Sequence, residues 1–134
     1  MITAPTWIIH AVYPDETDIT IGDTFGNIHT HGLAEYGHKE LCIPFGINAH
    51  LAAALLNNIG MLIANKGFTL NEGLVSGLLE NDFELKVVSY DNDPTLYILL
   101  PDPDNRFADD PDCETEFAKQ ELYAKHIHDN KDYV

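Results

Sequence analysis

Residues 26 to 45 leave the chain little choice of fold. Ile28 to Leu33 and Glu40 to Phe45 alternate apolar with polar side chains around a connection containing Gly37, the pattern of two strands joined by a turn. Pairing Leu33 with Glu40 sets His31 opposite Cys42, His29 opposite Pro44, Thr30 opposite Ile43 and Ile28 opposite Phe45. Directly opposed residues share a face. One face then carries Ile28, Thr30, Gly32, Leu41, Ile43 and Phe45 and belongs on a core; the other carries His29, His31, Glu40 and Cys42. A slip of one residue would mix the two sets, which burial of one face forbids.

The polar face has donor atoms suited to zinc or another divalent metal, because imidazole nitrogen and thiolate both bind such ions. His29, His31 and Cys42 are the candidate ligands. Their spacing matches no established zinc signature, so hydrogen bonding, or packing beneath a covering element, is the preferred reading, and no cofactor is expected. The turn supplies a second set, Tyr36 and His38 with Glu40 at its foot, as binding or proton-transfer groups, since loops on a rigid scaffold often carry function. The plainer account makes Gly37 the relief of a positive dihedral, Tyr36 a half-buried aromatic and His38 a turn donor.

At these residues the chain resembles a known family. Thr30-x-Gly32-Leu33 followed by Gly37-His38-x-Glu40-Leu41 is similar to the signature of the bacterial domain-of-unknown-function 4262 family, with Lys39 where the family has proline and His31 where it has an apolar residue. The similarity continues to Arg106-Phe107 and Gln120-x-Leu122. It implies a small single-domain bacterial protein and no particular chemistry, and it makes any metal site using His31 peculiar to this chain.

Length and charge set the outer bounds. The 134 residues, 45% of them hydrophobic, suit one globular domain with a real core. Seven Lys and Arg against 22 Asp and Glu give a net charge of −15, which opposes phosphate backbones and anionic lipid, so neither nucleic acid nor membrane is expected as a partner. The acidity is uneven: residues 82 to 134 hold 14 acids and 5 bases, residues 1 to 81 hold 8 and 2. Such a surface is either a solvating face or a match for a basic protein partner. Cys42 and Cys113 lie far apart without redox or metal spacing, the amino terminus lacks a secretory pattern, and no apolar run reaches membrane length; free thiols and a cytoplasmic location are expected.

The remaining chain reads as α+β, a mostly antiparallel sheet of about five to seven strands under one long helix. Trp7 to Tyr13 has strand composition, with His10 as a satisfied core or edge histidine, and Thr17 to Ile21 reads as a short strand. Asn48 caps a helix running to Lys66 and stopped by Gly67, with Leu51, Ala52, Leu55, Leu56, Ile59, Leu62 and Ile63 on one arc wide enough to cover a sheet and meet another chain. Gly73 to Leu79 and Phe83 to Tyr90 form a hairpin, and Thr95 to Leu100 a central strand. Asp102-x-Asp104-Asn105 is a poor calcium loop, with Phe107 in the place of the required glycine. Glu114 to Ile127 reads as a short C-terminal helix, and His126 and His128 as its frayed, solvated end in preference to added metal ligands.

With no phosphate loop, nucleophile elbow or HExxH motif, the leading expectation is a non-catalytic interaction module, as a homodimer or with a basic partner. A small metal-dependent hydrolase or acid-base enzyme using His29, His31, Cys42 and Glu40 or His38 is the alternative from another class, and a small-molecule binding module is the third.

Overall fold

The computed structural model describes residues 1–12, 14–46 and 48–131. Its frame is a six-stranded sheet in the order β1-β2-β3-β6-β5-β4, built from β1 (Ile8–Val12), β2 (Phe25–His31), β3 (Glu40–Phe45), β4 (Gly73–Val75), β5 (Leu85–Val88) and β6 (Thr95–Leu99). Every pairing is antiparallel except β3 with β6, which runs parallel at the centre. Helices complete an α+β fold: α1 (Glu16–Ile21), α2 (Ala49–Lys66), α3 (Thr115–Ala118) and α4 (Gln120–Asp129). Among the described residues no helix is long and apolar enough to cross a membrane. Tyr13, the last residue of the expected first strand, lies outside the described residues.

The two helix termini read from local chemistry sit where expected. Asn48 accepts the Leu51 N–H at the start of α2, and Gly67 ends the helix in the left-handed region at φ 64°. Ala52, Leu56, Ile59 and Ile63 are buried against β1, β2 and β3, while Leu51 is 67% and Leu62 37% exposed, so only part of the expected apolar arc enters the core. Thr17 to Ile21, expected as a strand, is helical. Asp15 accepts the Asp18 N–H while the Asp18 carboxylate accepts the Asp15 N–H, a reciprocal cap that secures the first turn against the β preference of Ile and Thr.

The central hairpin keeps the expected parity from Ile28 to Ile43 and changes register. Ile28 lies opposite Ile43 and His29 opposite Cys42, a displacement of two residues from the pairing read in the sequence. A shift of two leaves each side chain on its own face. Ile28, Thr30, Leu41 and Ile43 are accordingly buried on the α2 side, and His29, Cys42 and Tyr97 turn toward α4. The displacement follows from the connection: Leu33–Tyr36 coils into a single 3₁₀ turn closed by Gly37 at φ 73°, so β2 stops at His31 rather than running to Leu33. Further along, the ladder is irregular between Phe25 and Ile28, and Phe25 pairs with Phe45. Phe45, expected on the face of Ile28 and Ile43, is turned by that irregularity to the α4 side with Phe25, where it meets Phe117.

That irregularity depends on backbone contact without side chains. A Cβ on Gly26 would lie 2.6 Å from the Gly46 N and Cα, atoms that cannot rotate away. Gly26→Ala is therefore expected to destabilise the protein by about 1–3 kcal/mol by forcing the strands apart, read as a lower urea midpoint with an unchanged slope; an unchanged midpoint would show that the two strands have slack there.

Candidate functional site

Between the sheet and α4 lies a cleft of about 610 Å³ with mostly apolar walls. Its floor is the face that alternation assigned to polar groups: Asn27, His29 and His31 from β2, Cys42 from β3 and Tyr97 from β6. Val12, Asp15 and Asp18 come from the chain on either side of the β1–α1 connection, and His126, Ile127 and Lys131 from α4 and the residue beyond its end. The helix that closes the cleft is firmly seated. Tyr123, Ala124 and Ile127 are buried, and Tyr123 meets Phe25 edge-on with ring centroids 5.4 Å apart.

Two polar clamps hold α4, and neither is local. His126 Nε2 donates to Asp18 Oδ1 at 2.8 Å. Asp93, buried at the start of β6, accepts from the Thr95 N–H (3.0 Å), the Tyr97 hydroxyl (2.6 Å), His128 Nδ1 (2.9 Å) and Lys131 Nζ (2.7 Å). His128 also stacks on Tyr90 at 4.5 Å. The segment expected to be a frayed end is thus anchored at both histidines, because each finds a carboxylate far away in the chain.

His29 presents an open acceptor from a half-buried position on the floor, whereas His31, also without a hydrogen-bond partner among the described residues, is exposed. Asn27 Oδ1 can only accept, so the 2.9 Å contact places the proton on His29 Nδ1 and leaves Nε2 with a lone pair and no hydrogen-bond partner among the described residues. Burial, then the neighbouring imidazoles of His10 and His31, lower the His29 pKa, which keeps the ring neutral at pH 7. His10, on the exposed edge strand, lies 5.4 Å from His29 and 5.3 Å from His31 between ring centroids. It is a surface member of this cluster rather than a core histidine.

The candidate metal set behaves differently. His29, His31 and Cys42 do share the cleft, but among the described residues no three His, Cys, Asp or Glu side chains are placed to hold a metal ion. The Cys42 S–H points to Asn27 Oδ1 at 3.5 Å, and burial pushes its pKa up to about 12, so it rests as a thiol. His31 is exposed and meets His10 at a tilt of 37°. The donors share a face without converging.

The binding or proton-transfer set also divides. Glu40 lines the cleft, yet its carboxylate turns back over the end of β2 to accept from Thr30 Oγ1 (2.8 Å) and from the N–H groups of Gly32, Leu33 and Ala34 (3.1, 3.1 and 3.2 Å). Burial alone would raise its pKa; those four bonds outweigh it and hold the group below the usual glutamate range, which makes it a poor proton acceptor. His38 spends both nitrogens on structure, Nδ1 on the Lys39 carbonyl and Nε2 on the Leu70 N–H. Tyr36 bonds Thr6 through its hydroxyl and meets Trp7 edge-on, away from the cleft. Asp102, the start of the rejected calcium loop, is likewise filled, by the N–H groups of Asp104, Arg106 and Glu114 and by Arg106 Nε.

These contacts give the residues of the resemblance a physical task. Thr30 bonds Glu40 and accepts the Leu41 N–H, Gly32 and Leu33 cap Glu40, Gly37 closes the turn and His38 ties it to Leu70. The run is a self-bonded corner at the end of the sheet, not a reactive centre. No family model, curated protein or solved structure matches the chain. Asn27, Asp93, Tyr97 and Lys131 enter the site without a sequence signal, and His126 and His128, noticed only as possible ligands at a frayed end, enter it as anchors of α4; Asp93-Pro94 reads only as a turn, and its other partners lie up to 38 positions away.

Charge sets a pH signature. His29 has a folded pKa below its ordinary value of about 6.5, so the stability it contributes is complete above that pH and is lost as the pH falls through the folded value. Glu40 and Asp93 are lowered too, by hydrogen bonds that outweigh burial, and Asp102 reaches about 2. Their contribution persists above about pH 4 and is lost below it. Urea midpoints should therefore fall in two stages on acidification. His29→Phe is expected to remove the first stage, and Asp93→Asn to lower stability at pH 7 by about 3 kcal/mol and to weaken the second; a single stage unchanged by both substitutions would contradict this assignment.

Proposed function

We propose that this protein is a small-molecule binding module whose ligand lodges between the sheet and α4. The observation that carries this reading is the cleft itself: about 610 Å³, mostly apolar, with an open acceptor, His29 Nε2, on its half-buried floor. Concave, apolar sites of this size with few convergent polar groups are where small ligands bind. The enzyme reading has lost its proton acceptors, because Glu40 and His38 are committed to the corner. The interaction-module reading keeps only Leu51, 67% exposed, and Leu62, 37% exposed, as exposed members of the α2 arc. We place the protein in the cytoplasm, consistent with the free thiols of Cys42 and Cys113, and within the domain-of-unknown-function 4262 family on the Thr30 to Leu41 motifs.

Titration with N-phenyl-1-naphthylamine, a neutral apolar fluorophore, tests the site. Fluorescence should rise to a plateau at one molecule per chain. The double substitution His29→Trp/Val12→Trp, at a half-buried and a 48% exposed strand position, should weaken binding by about tenfold or more, while Leu51→Ser/Leu62→Ser should leave it unchanged. Binding lost only in the second variant would move the function to the outer face of α2 and overturn this proposal.

A further inference from the structure

The polar content of the cleft is small enough to be followed atom by atom. Lys131, the cation that lines it, spends its ammonium on Asp93 Oδ1 and Thr95 Oγ1, each at 2.7 Å. Asp18 takes His126 on one oxygen and the Asp15 N–H on the other. Glu40 is filled by its four donors. Asn27 Oδ1 takes both the His29 Nδ1–H and the Cys42 thiol. A ligand therefore meets mostly apolar wall and, on the half-buried floor, the open acceptor His29 Nε2; the Asn27 amide N–H2 and the exposed His31 ring also have no hydrogen-bond partner among the described residues.

Charge on the ligand finds no counterpart. An anion would enter a protein of net charge −15 and find the Lys131 ammonium, the one lining the cleft among the described residues, already paired. A cation would have to displace existing partners from Asp18 or Glu40, or settle for Asp15, which is exposed at the rim where an ion pair is worth little. A neutral molecule displaces nothing. If it carries an O–H or N–H, it gives Nε2 the bond that an otherwise identical molecule lacking the donor would leave unmade, and sites built around such an atom reject the analogue without it.

Resting on the reading of the cleft as a ligand site, we propose that it selects neutral, mainly apolar molecules bearing a hydrogen-bond donor, the chemistry of phenols and indoles, and that His29 Nε2 is the specificity-determining acceptor. Five groups face that ring: His10 from β1, His31 on its own strand, Glu40 and the protonated Cys42 from β3, and Lys131 beyond α4. The two imidazoles and Lys131 disfavour its protonation and Glu40 favours it, with burial the larger influence. Once the ring is protonated, Nε2 becomes a donor and the preference disappears.

A matched series isolates the idea: 2-naphthol, 2-methoxynaphthalene, 2-naphthoate and 2-naphthylmethylammonium share one ring system and differ in donor and charge. At pH 7.5 the intact protein should bind 2-naphthol about tenfold more tightly than the other three. His29→Phe, which keeps the bulk and removes the acceptor, should erase that advantage while still binding 2-methoxynaphthalene, and lowering the pH through the His29 titration followed by NMR should erase it in the parent. If all four bind alike, or a charged member binds best, and His29→Trp/Val12→Trp still blocks them, the cleft is a ligand site and the proposed selectivity is wrong. If none binds and N-phenyl-1-naphthylamine is also ignored, the ligand-site reading itself fails and takes this one with it.

Discussion

One carboxylate organises the corner from which the sheet is laid out. Glu40 begins β3 and reaches back to three successive N–H groups and the Thr30 hydroxyl, fixing where β2 ends and how far the chain travels before it returns. Backbone donors at a turn are costly to bury without partners, and an ionised acceptor satisfies several at once with stronger bonds than a neutral one. The register of β2 on β3 follows from that corner. Because β3 also pairs with β6 in parallel from Glu40 onward, the same residue helps align both halves of the sheet.

The parity of residues 28 to 43 was legible in the sequence because it depends only on odd and even positions, and it failed at Phe45, where the irregularity beside Gly26 breaks that count. The register was not, since alternation is blind to a shift of two and the length of the connection was set by a side chain bonding backward. The α2 helix was legible at both ends, where Asn48 and Gly67 act within one turn of their own positions. The α1 helix was missed although Asp15 and Asp18 carry a cap signal, because Ile and Thr around them pointed to a strand. The anchoring of α4 was beyond reach, for His126 finds its partner 108 positions away and His128 finds its own 35 away. In the same way the face that carries the candidate site was readable, while the wall that turns that face into a cleft was not.

The site takes its character from this division of labour. Residues chosen by type alone, such as His38 and Glu40, proved to be consumed by the scaffold, whereas His29 keeps an open atom because a modest neighbour, Asn27, occupies its other nitrogen. Burial and the adjacent imidazoles then hold the ring neutral. A neutral imidazole in a mostly apolar cleft is a hydrogen-bond acceptor first and a proton carrier second. That ordering favours recognition over catalysis.

The parallel seam between β3 and β6 has a temporal side. Glu40 meets Thr95, 55 positions later, whereas β1, β2 and β3 are neighbours in both sequence and space. Closing a long loop costs chain entropy before any contact rewards it. A chain emerging from the ribosome can complete its first three strands early, but the inner edge of β3 stays unpaired until α2 and the second hairpin have been made. The molecule is joined last along its middle, and the cleft, roofed by a helix still nearer the end, exists only once that joint has closed.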